Sequence, residues 1–333
     1  MTEEHSLKIL KAARNPEEAI RHFTLPILSG IELAYSSRYP FGTNFLEEDW
    51  DLLVVLDTCR VDVLNQVQEH TSERWLSNNS IGEKYSIGGS TLEWTAQTFS
   101  EGYEDEVSEI DFIAGNMMVQ EVLDGNLRPE DSANISYAPT SWNTLDRTKF
   151  NEFLPAWEYR DSRGPDKGHV DRPHPSAKTV ADTAIVHGRE HDPKRMIVHY
   201  IQPHYPYYAA AESAGRTQLH DWERFPFPSL RDGSIGLENV WNTYTTELES
   251  VIKSVGVLLN NYDAERAIIT SDHGEAFGEW FGYKHRGGTI HPKVRRVPWV
   301  QTTAQDRETI KPNLDLSCSE LSRDEILDAL GYI

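Results

Sequence analysis

Three polar groups in this sequence stand where an apolar run stops. Asp57 closes the run Asp51 to Asp57 (DLLVVLD), and Asp272-His273 follows Arg266 to Thr270 (RAIIT). His204 lies just beyond Met196 to Tyr200 (MIVHY). A carboxylate at the end of a buried apolar run is costly unless it is paired or bound to a cation. Asp57, Asp272 and His273 together offer O, O and N donors, a set suited to a divalent metal on a sheet edge. Taken singly, each Asp reads equally well as a strand-end or helix-capping residue, and His204 as a loop histidine. Their coincidence at strand ends, with Gly274 directly behind, favours the metal.

The apolar runs themselves read as strands buried on both faces of a parallel sheet. Val61, Leu64 and Val67 predict a helix over 60–70 after the first run. A second helix is predicted over 177–190, before MIVHY, and a long amphipathic one over 238–260, before RAIIT. Strands alternating with helices predict an α/β fold with a mostly parallel sheet sandwiched by helices. In such sheets chemistry gathers beyond the carboxyl ends of the strands. Residues 1–47 read as an N-terminal helical extension, 48–305 as one catalytic α/β domain, and 306–333 as a tail or helix packing on it. The polar, turn-rich stretch from Gly102 to Asp171 reads as an irregular covering over the site.

Among the 333 residues, 53 acids against 32 Lys and Arg give a formal charge of −21. That balance argues against nucleic acid as a partner. No run of about 18 apolar residues occurs, so no membrane span is expected. The N-terminus lacks the basic-then-apolar order of a signal peptide, and a cytoplasmic protein is expected. Cys59 and Cys318 are too few for a disulfide framework or a thiolate cage. Scattered acids, with about twice as many Arg as Lys, suggest a protein for concentrated salt, similar to those of halophilic archaea. Composition sets no oligomeric state.

Five segments fall in a familiar order: LLVVLDTCRVD (52–62), SIGGSTLEWTAQTF (86–99), HYIQPHYPY (199–207), TSDHGEAFGE (270–279) and VRRVPWV (294–300). Together they resemble the alkaline phosphatase superfamily and, within it, the sulfatase-like branch. The resemblance implies an alkaline-phosphatase-like fold and a divalent metal held by Asp57, Thr91, Asp272 and His273. It places His285, in FGYKHRGG, as a metal ligand facing the anion or a second metal, with Lys284 beside it as a catalytic alternative. It implies Thr91 as covalent nucleophile, Ser90 being the rival, and His204 at the transferred group or leaving oxygen. Arg60 resembles the basic residue near the anion, with pairing to a surface carboxylate as the alternative. The sequence also departs from the family: no formylglycine signature surrounds either cysteine, and Thr58 stands where many sulfatases carry a second acid. No Asp lies between Tyr200 and His204, so a full second metal set is not expected. The function implied is a metal-dependent hydrolase of a small-molecule or glycan phosphate or sulfate ester, using Mn, Zn or Mg, with Ca also compatible. Transfer of the group to an acceptor alcohol, and a catalytically silent metal-binding module, are the alternatives.

Overall fold

The computed structural model describes residues 24–133, 140–161, 172 and 174–316. Its strands are β1 Leu52–Leu56, β2 Gly82–Tyr85, β3 Ile110–Ala114, β4 Glu152–Pro155, β5 Tyr159–Asp161 and β6 Arg195–Tyr200. They continue with β7 Ala264–Thr270, β8 Ala276–Phe277, β9 Tyr283–Lys284, β10 Arg296–Ala304 and β11 Leu314–Leu316. Seven of them make one sheet in the order β2-β10-β7-β1-β6-β3-β4. From β7 to β4 every pairing is parallel, with Val54 beside Val198 on one side and Ile269 on the other. β10 runs antiparallel between β7 and β2.

Side-chain alternation explains why these runs are apolar throughout. Leu52, Val54 and Leu56 face one core, shared with the helices Ala177–His191 and Leu237–Leu259. Leu53 and Val55 face the other, shared with Trp94, Phe99, Phe112, Phe150 and Trp299. Every residue of β1 is buried, and each such side chain contributes roughly 1.5–3 kcal/mol by leaving water.

The stretch 102–171 differs from its sequence reading. It supplies β3 and β4 to the main sheet and the helix Met117–Leu123 between them. Asp111 interrupts the apolar run of β3 and hides it. In the structure that carboxylate is paired with His187 Nε2 at 2.6 Å and accepts from Asn151 Nδ2 at 2.6 Å, which makes its burial tolerable.

At the N-terminal side, the helix Leu25–Ser36 precedes Phe45, Leu46 and Trp50, which enter the same core as β1. At the other end β11 pairs with β5, while 1–23 and 317–333, including Cys318, lie outside the described residues. Among the described residues no helix is long and apolar enough to cross a membrane.

Candidate active site

Three adjacent central strands, β7, β1 and β6, bring their carboxyl ends to one edge. Asp57 follows β1, its N–H donating to Tyr200 O of β6 at 3.1 Å, so the ladder runs one residue past the strand. The chain then reverses through Thr58 at φ +62°, a left-handed conformation unfavourable for a β-branched residue. That turn is held from outside: Tyr244 Oη donates to Thr58 O at 2.7 Å, and Cys59 N–H donates to Ser271 Oγ at 3.0 Å. Thr58 N–H reaches Asp272 Oδ1 at 3.3 Å, tying the β1 end to the β7 end.

Thr91 opens the helix Thr91–Thr98. The turn before it needs Gly88 because a Cβ there would meet Trp94 N at 2.2 Å; Gly88 has no left-handed φ, so close approach is the reason. Ser90 is the N-cap, its Oγ accepting from Glu93 N–H at 3.3 Å. The Thr91 hydroxyl points into the strand-end cluster, 2.8 Å from Asp272 Oδ2, 3.4 Å from Asp57 Oδ2 and 3.3 Å from His273 Nε2. All four residues are fully buried.

The arrangement has the chemistry of a cation site. His273 Nδ1 donates to Gly274 O at 2.9 Å, leaving Nε2 as an inward lone pair. Asp57 Oδ1 is buried and, among the described residues, has no hydrogen-bond partner, an uncompensated acceptor that a divalent ion would satisfy. Burial, the Asp272 carboxylate and Glu275 together push the Asp57 carboxyl well above its ordinary range. Burial also pushes Asp272 up, but His273, His199 and the Thr91 hydroxyl hold it below the usual carboxylate range. Burial holds His273 down at about 3, so its ring is neutral and free to ligate.

A second group sits against the first. Ligand atoms of His204, Glu275 and His285 lie within 4.8 Å of one another, as do those of Asp57, Asp272 and His273. The His273 and His285 ring centroids are 4.3 Å apart and those of His204 and His285 5.3 Å. His204 Nδ1 donates to Tyr205 O, and its Nε2 and Glu275 Oε1 are buried with no hydrogen-bond partner among the described residues. His285 Nδ1 lies 3.3 Å from Glu275 Oε2. Burial and the neighbouring His285 hold His204 well below its ordinary value. A second O and N donor set is therefore present, contrary to the expectation drawn from the missing Asp. Its carboxylate is Glu275 of DHGE, which the sequence reading passed over. His285 stands with this second group and not with the Asp57 group.

Arg60 is placed differently from its expected role near an anion. Its guanidinium binds Asp62 at 2.6 Å and Glu279 at 2.8 Å, donates to Glu275 O at 3.0 Å, and packs over Trp241. With both carboxylates engaged it braces the Glu275 loop. Lys284, at φ +68°, holds its ammonium 5.3 Å from the Tyr205 ring centroid and, among the described residues, has no carboxylate partner. Burial lowers its pKa, against the pull of Glu275. Asn116, at the end of β3, was also missed: its Nδ2 donates to Asp57 Oδ2 at 2.7 Å. No sequence signal separates it from a plain helix cap, which it also is, accepting from Met118 N–H at 2.9 Å.

No family model and no curated protein matches the chain. Similar solved structures include the soluble domain of lipooligosaccharide phosphoethanolamine transferase A from Neisseria meningitidis. That match has 16% identity and TM-score 0.46, and covers 77% of this chain and 76% of the other. A 2-O GAG sulfatase is 12% identical at TM-score 0.42, with 77% and 65% covered. A protein of the alkaline phosphatase superfamily from Vibrio parahaemolyticus is 9% identical at TM-score 0.38, with 84% and 69% covered. At these scores the likeness carries no part of the site's reading, which stands on the geometry above. A sulfatase and a protein of the alkaline phosphatase superfamily are among the solved structures to which the chain is similar.

Proposed function

We propose that this protein is a divalent-cation-dependent enzyme that cleaves phosphate or sulfate esters through Thr91. The observation that carries the reading is one hydroxyl, at a helix start, within 3.4 Å of two buried carboxylates and a neutral imidazole. Such a cluster has no structural use for its orphaned acceptor, Asp57 Oδ1. Asp57, Thr91, Asp272 and His273 would hold one cation, and His204, Glu275 and His285 a second. When bound, divalent cations lower the proton affinity of a hydroxyl and offset charge on the oxygens of the transferred group.

The chain's own residues do the rest. Asp272 Oδ2, at 2.8 Å, accepts a hydrogen bond from the Thr91 hydroxyl in the resting site and orients the oxygen, whose proton leaves to solvent as the oxygen attacks. The Thr91 oxygen then bonds to phosphorus or sulfur as the bond to the leaving oxygen breaks. The first backbone N–H groups of the Thr91–Thr98 helix face the incoming anion. Asn116 fixes the rotamer of Asp57. His204, held neutral, suits cation binding better than protonation of a leaving group. Lys284, which has no carboxylate partner among the described residues, is our candidate for meeting anion oxygens. Water attack on the threonyl ester completes hydrolysis; attack by an acceptor alcohol would make the same site a transferase.

The test is an activity screen of aryl phosphate, aryl phosphodiester and aryl sulfate with Mn, Zn, Mg and Ca, in molar salt, with and without an added alcohol. Turnover should require a cation and vanish in Thr91→Ala. Turnover that persists in chelator, or in Thr91→Ala, refutes the reading.

A further inference from the structure

Glu93 lies in the first turn of the nucleophile helix, fully buried, and touches neither cluster of ligands. Its carboxylate is nevertheless fully engaged, with four donors. Oε2 accepts from Gly89 N–H at 2.7 Å, from Gly288 N–H at 2.8 Å and from Arg295 Nη1 at 3.3 Å. Oε1 accepts from Ser36 Oγ at 2.6 Å. Gly89 belongs to the turn that presents Thr91, and Gly288 lies three residues beyond His285. One oxygen atom thus holds the nucleophile turn and the His285 loop at the same point.

The surroundings leave that point little freedom. Gly288 sits at φ +77°, and a Cβ on it would meet Leu33 N at 2.6 Å, so the loop lies directly on the helix Leu25–Ser36. Arg295 is buried and also donates to Phe41 O at 2.7 Å and Ile87 O at 3.1 Å. Charge-assisted bonds of this kind are short and directional, and in a dry interior each weighs more than at a surface. By contrast Asp57, Asp272 and His273 are anchored by the ends of β1 and β7, and no hydrogen bond joins them to Glu93.

We infer that Glu93 is a positioning residue that sets the spacing between Thr91 and the His285-bearing cation group, acting through the backbone of Gly89 and Gly288. The inference rests on the two-group reading of the site. It predicts an unequal effect: loss of Glu93 should loosen the His204, Glu275 and His285 group while sparing the Asp57 group. Residues that orient metal ligands typically account for about 10- to 100-fold in metal affinity.

The experiment compares wild type, Glu93→Ala, Glu93→Gln and Val251→Ala, the last an equally buried core truncation remote from this network. Gln keeps an oxygen for the two glycine N–H groups and tests whether they or the charge matter. Hydrogen exchange of the metal-free proteins and titration with Mn2+ alone are both recorded. Glu93→Ala should speed exchange in the segment 285–291 selectively. It should also weaken the second Mn2+ about 10-fold or more while changing the first less than threefold. Glu93→Gln should restore most of both, and Glu93→Ala should have no added effect on Mn2+ in a His285→Ala background. Unchanged exchange at 285–291, a uniform rise like that of Val251→Ala, or equal weakening of both ions would overturn the inference. A wild type that binds no Mn2+ would refute the functional reading instead, and the exchange arm would still decide the role of Glu93.

Discussion

Replacing Asp57 by Asn should stabilise the cation-free protein while removing the part of its metal response that comes from the Asp57, Asp272 and His273 group. The Asp57 and Asp272 oxygens both reach the Thr91 hydroxyl, at 3.4 and 2.8 Å, so they lie within about 6 Å of each other. Two negative charges at that distance repel by about 3 kcal/mol at an effective dielectric of 20. For a chain of this length the entropy of unfolding is on the order of 0.7 kcal/mol/K, so relief of that repulsion raises Tm by about 4 °C. Asn keeps the acceptor that Asn116 Nδ2 uses at 2.7 Å. The sign depends on pH. The folded proton affinity of Asp57 is raised above its ordinary value of 3.8. The penalty is therefore absent below pH 3.8 and grows as pH climbs toward the folded value. The advantage of Asp57→Asn should accordingly be present at pH 7 and gone by about pH 4. In the wild type, Mn2+ at 100 times the Kd of the Asp57 group should add about 2.7 kcal/mol through that group, and in the variant this share should fall close to nothing while any share from the His204, Glu275 and His285 group stays. Thermal melts in chelator and in Mn2+, at both pH values, measure all of this. A variant that melts below wild type in chelator at pH 7, or that keeps the full Mn2+ response, refutes the reasoning.

Other outcomes follow from the same geometry. Thr91→Ala should lower turnover by orders of magnitude at unchanged cation content, whereas Ser90→Ala should cost about 1 kcal/mol of stability as a lost helix cap and keep turnover within a few-fold; the opposite pattern in steady-state kinetics would move the nucleophile by one residue. Glu247, buried and accepting from Tyr208 and Ala209 N–H at 2.7 Å each, has its pKa pushed up by burial to about 6. Its contribution is fully present below about pH 4.5 and lost as pH rises through 6, so the wild-type advantage over Glu247→Gln should fall by about 2 kcal/mol between pH 4 and 7; a flat difference in chemical denaturation contradicts this. With 53 acids against 32 bases, Tm should rise from low to molar KCl, and a flat or falling Tm would count against the self-repulsion argument.

Much of the frame is legible in the sequence because a strand buried on both faces must be apolar at every position. β1, β6 and β7 are therefore visible as runs, and the residues that end them as the site's edge. β3 obeys the same rule except at Asp111, whose partners His187 and Asn151 are 76 and 40 residues away, beyond any local pattern. Glu275 was overlooked for a related reason. Within DHGE the Asp-His pair explains itself as ligands, whereas the carboxylate two residues on acquires meaning only when His204 and His285 arrive from other loops. Arg60 shows the reverse case: a cation three residues after Asp57 fits an anion contact or a carboxylate pair equally in sequence, and Asp62 and Glu279 decide for the pair. Spacing along the chain cannot rank such competitors.

The two ligand groups hang from parts of the fold with different mobility. Asp57, Asp272 and His273 continue β1 and β7, two strands paired on both sides in the middle of a seven-stranded sheet. Opening that corner means breaking the sheet itself, at a free energy near that of global unfolding. His204, Glu275 and His285 stand on loops, beside only the two-residue strands β8 and β9, and can part by local opening. An ion in the first group would then exchange with solvent on the slow timescale of unfolding, and one in the second on the faster timescale of loop motion. A chelator added to the loaded protein should remove metal in two phases, and the slow phase alone should track the global unfolding rate.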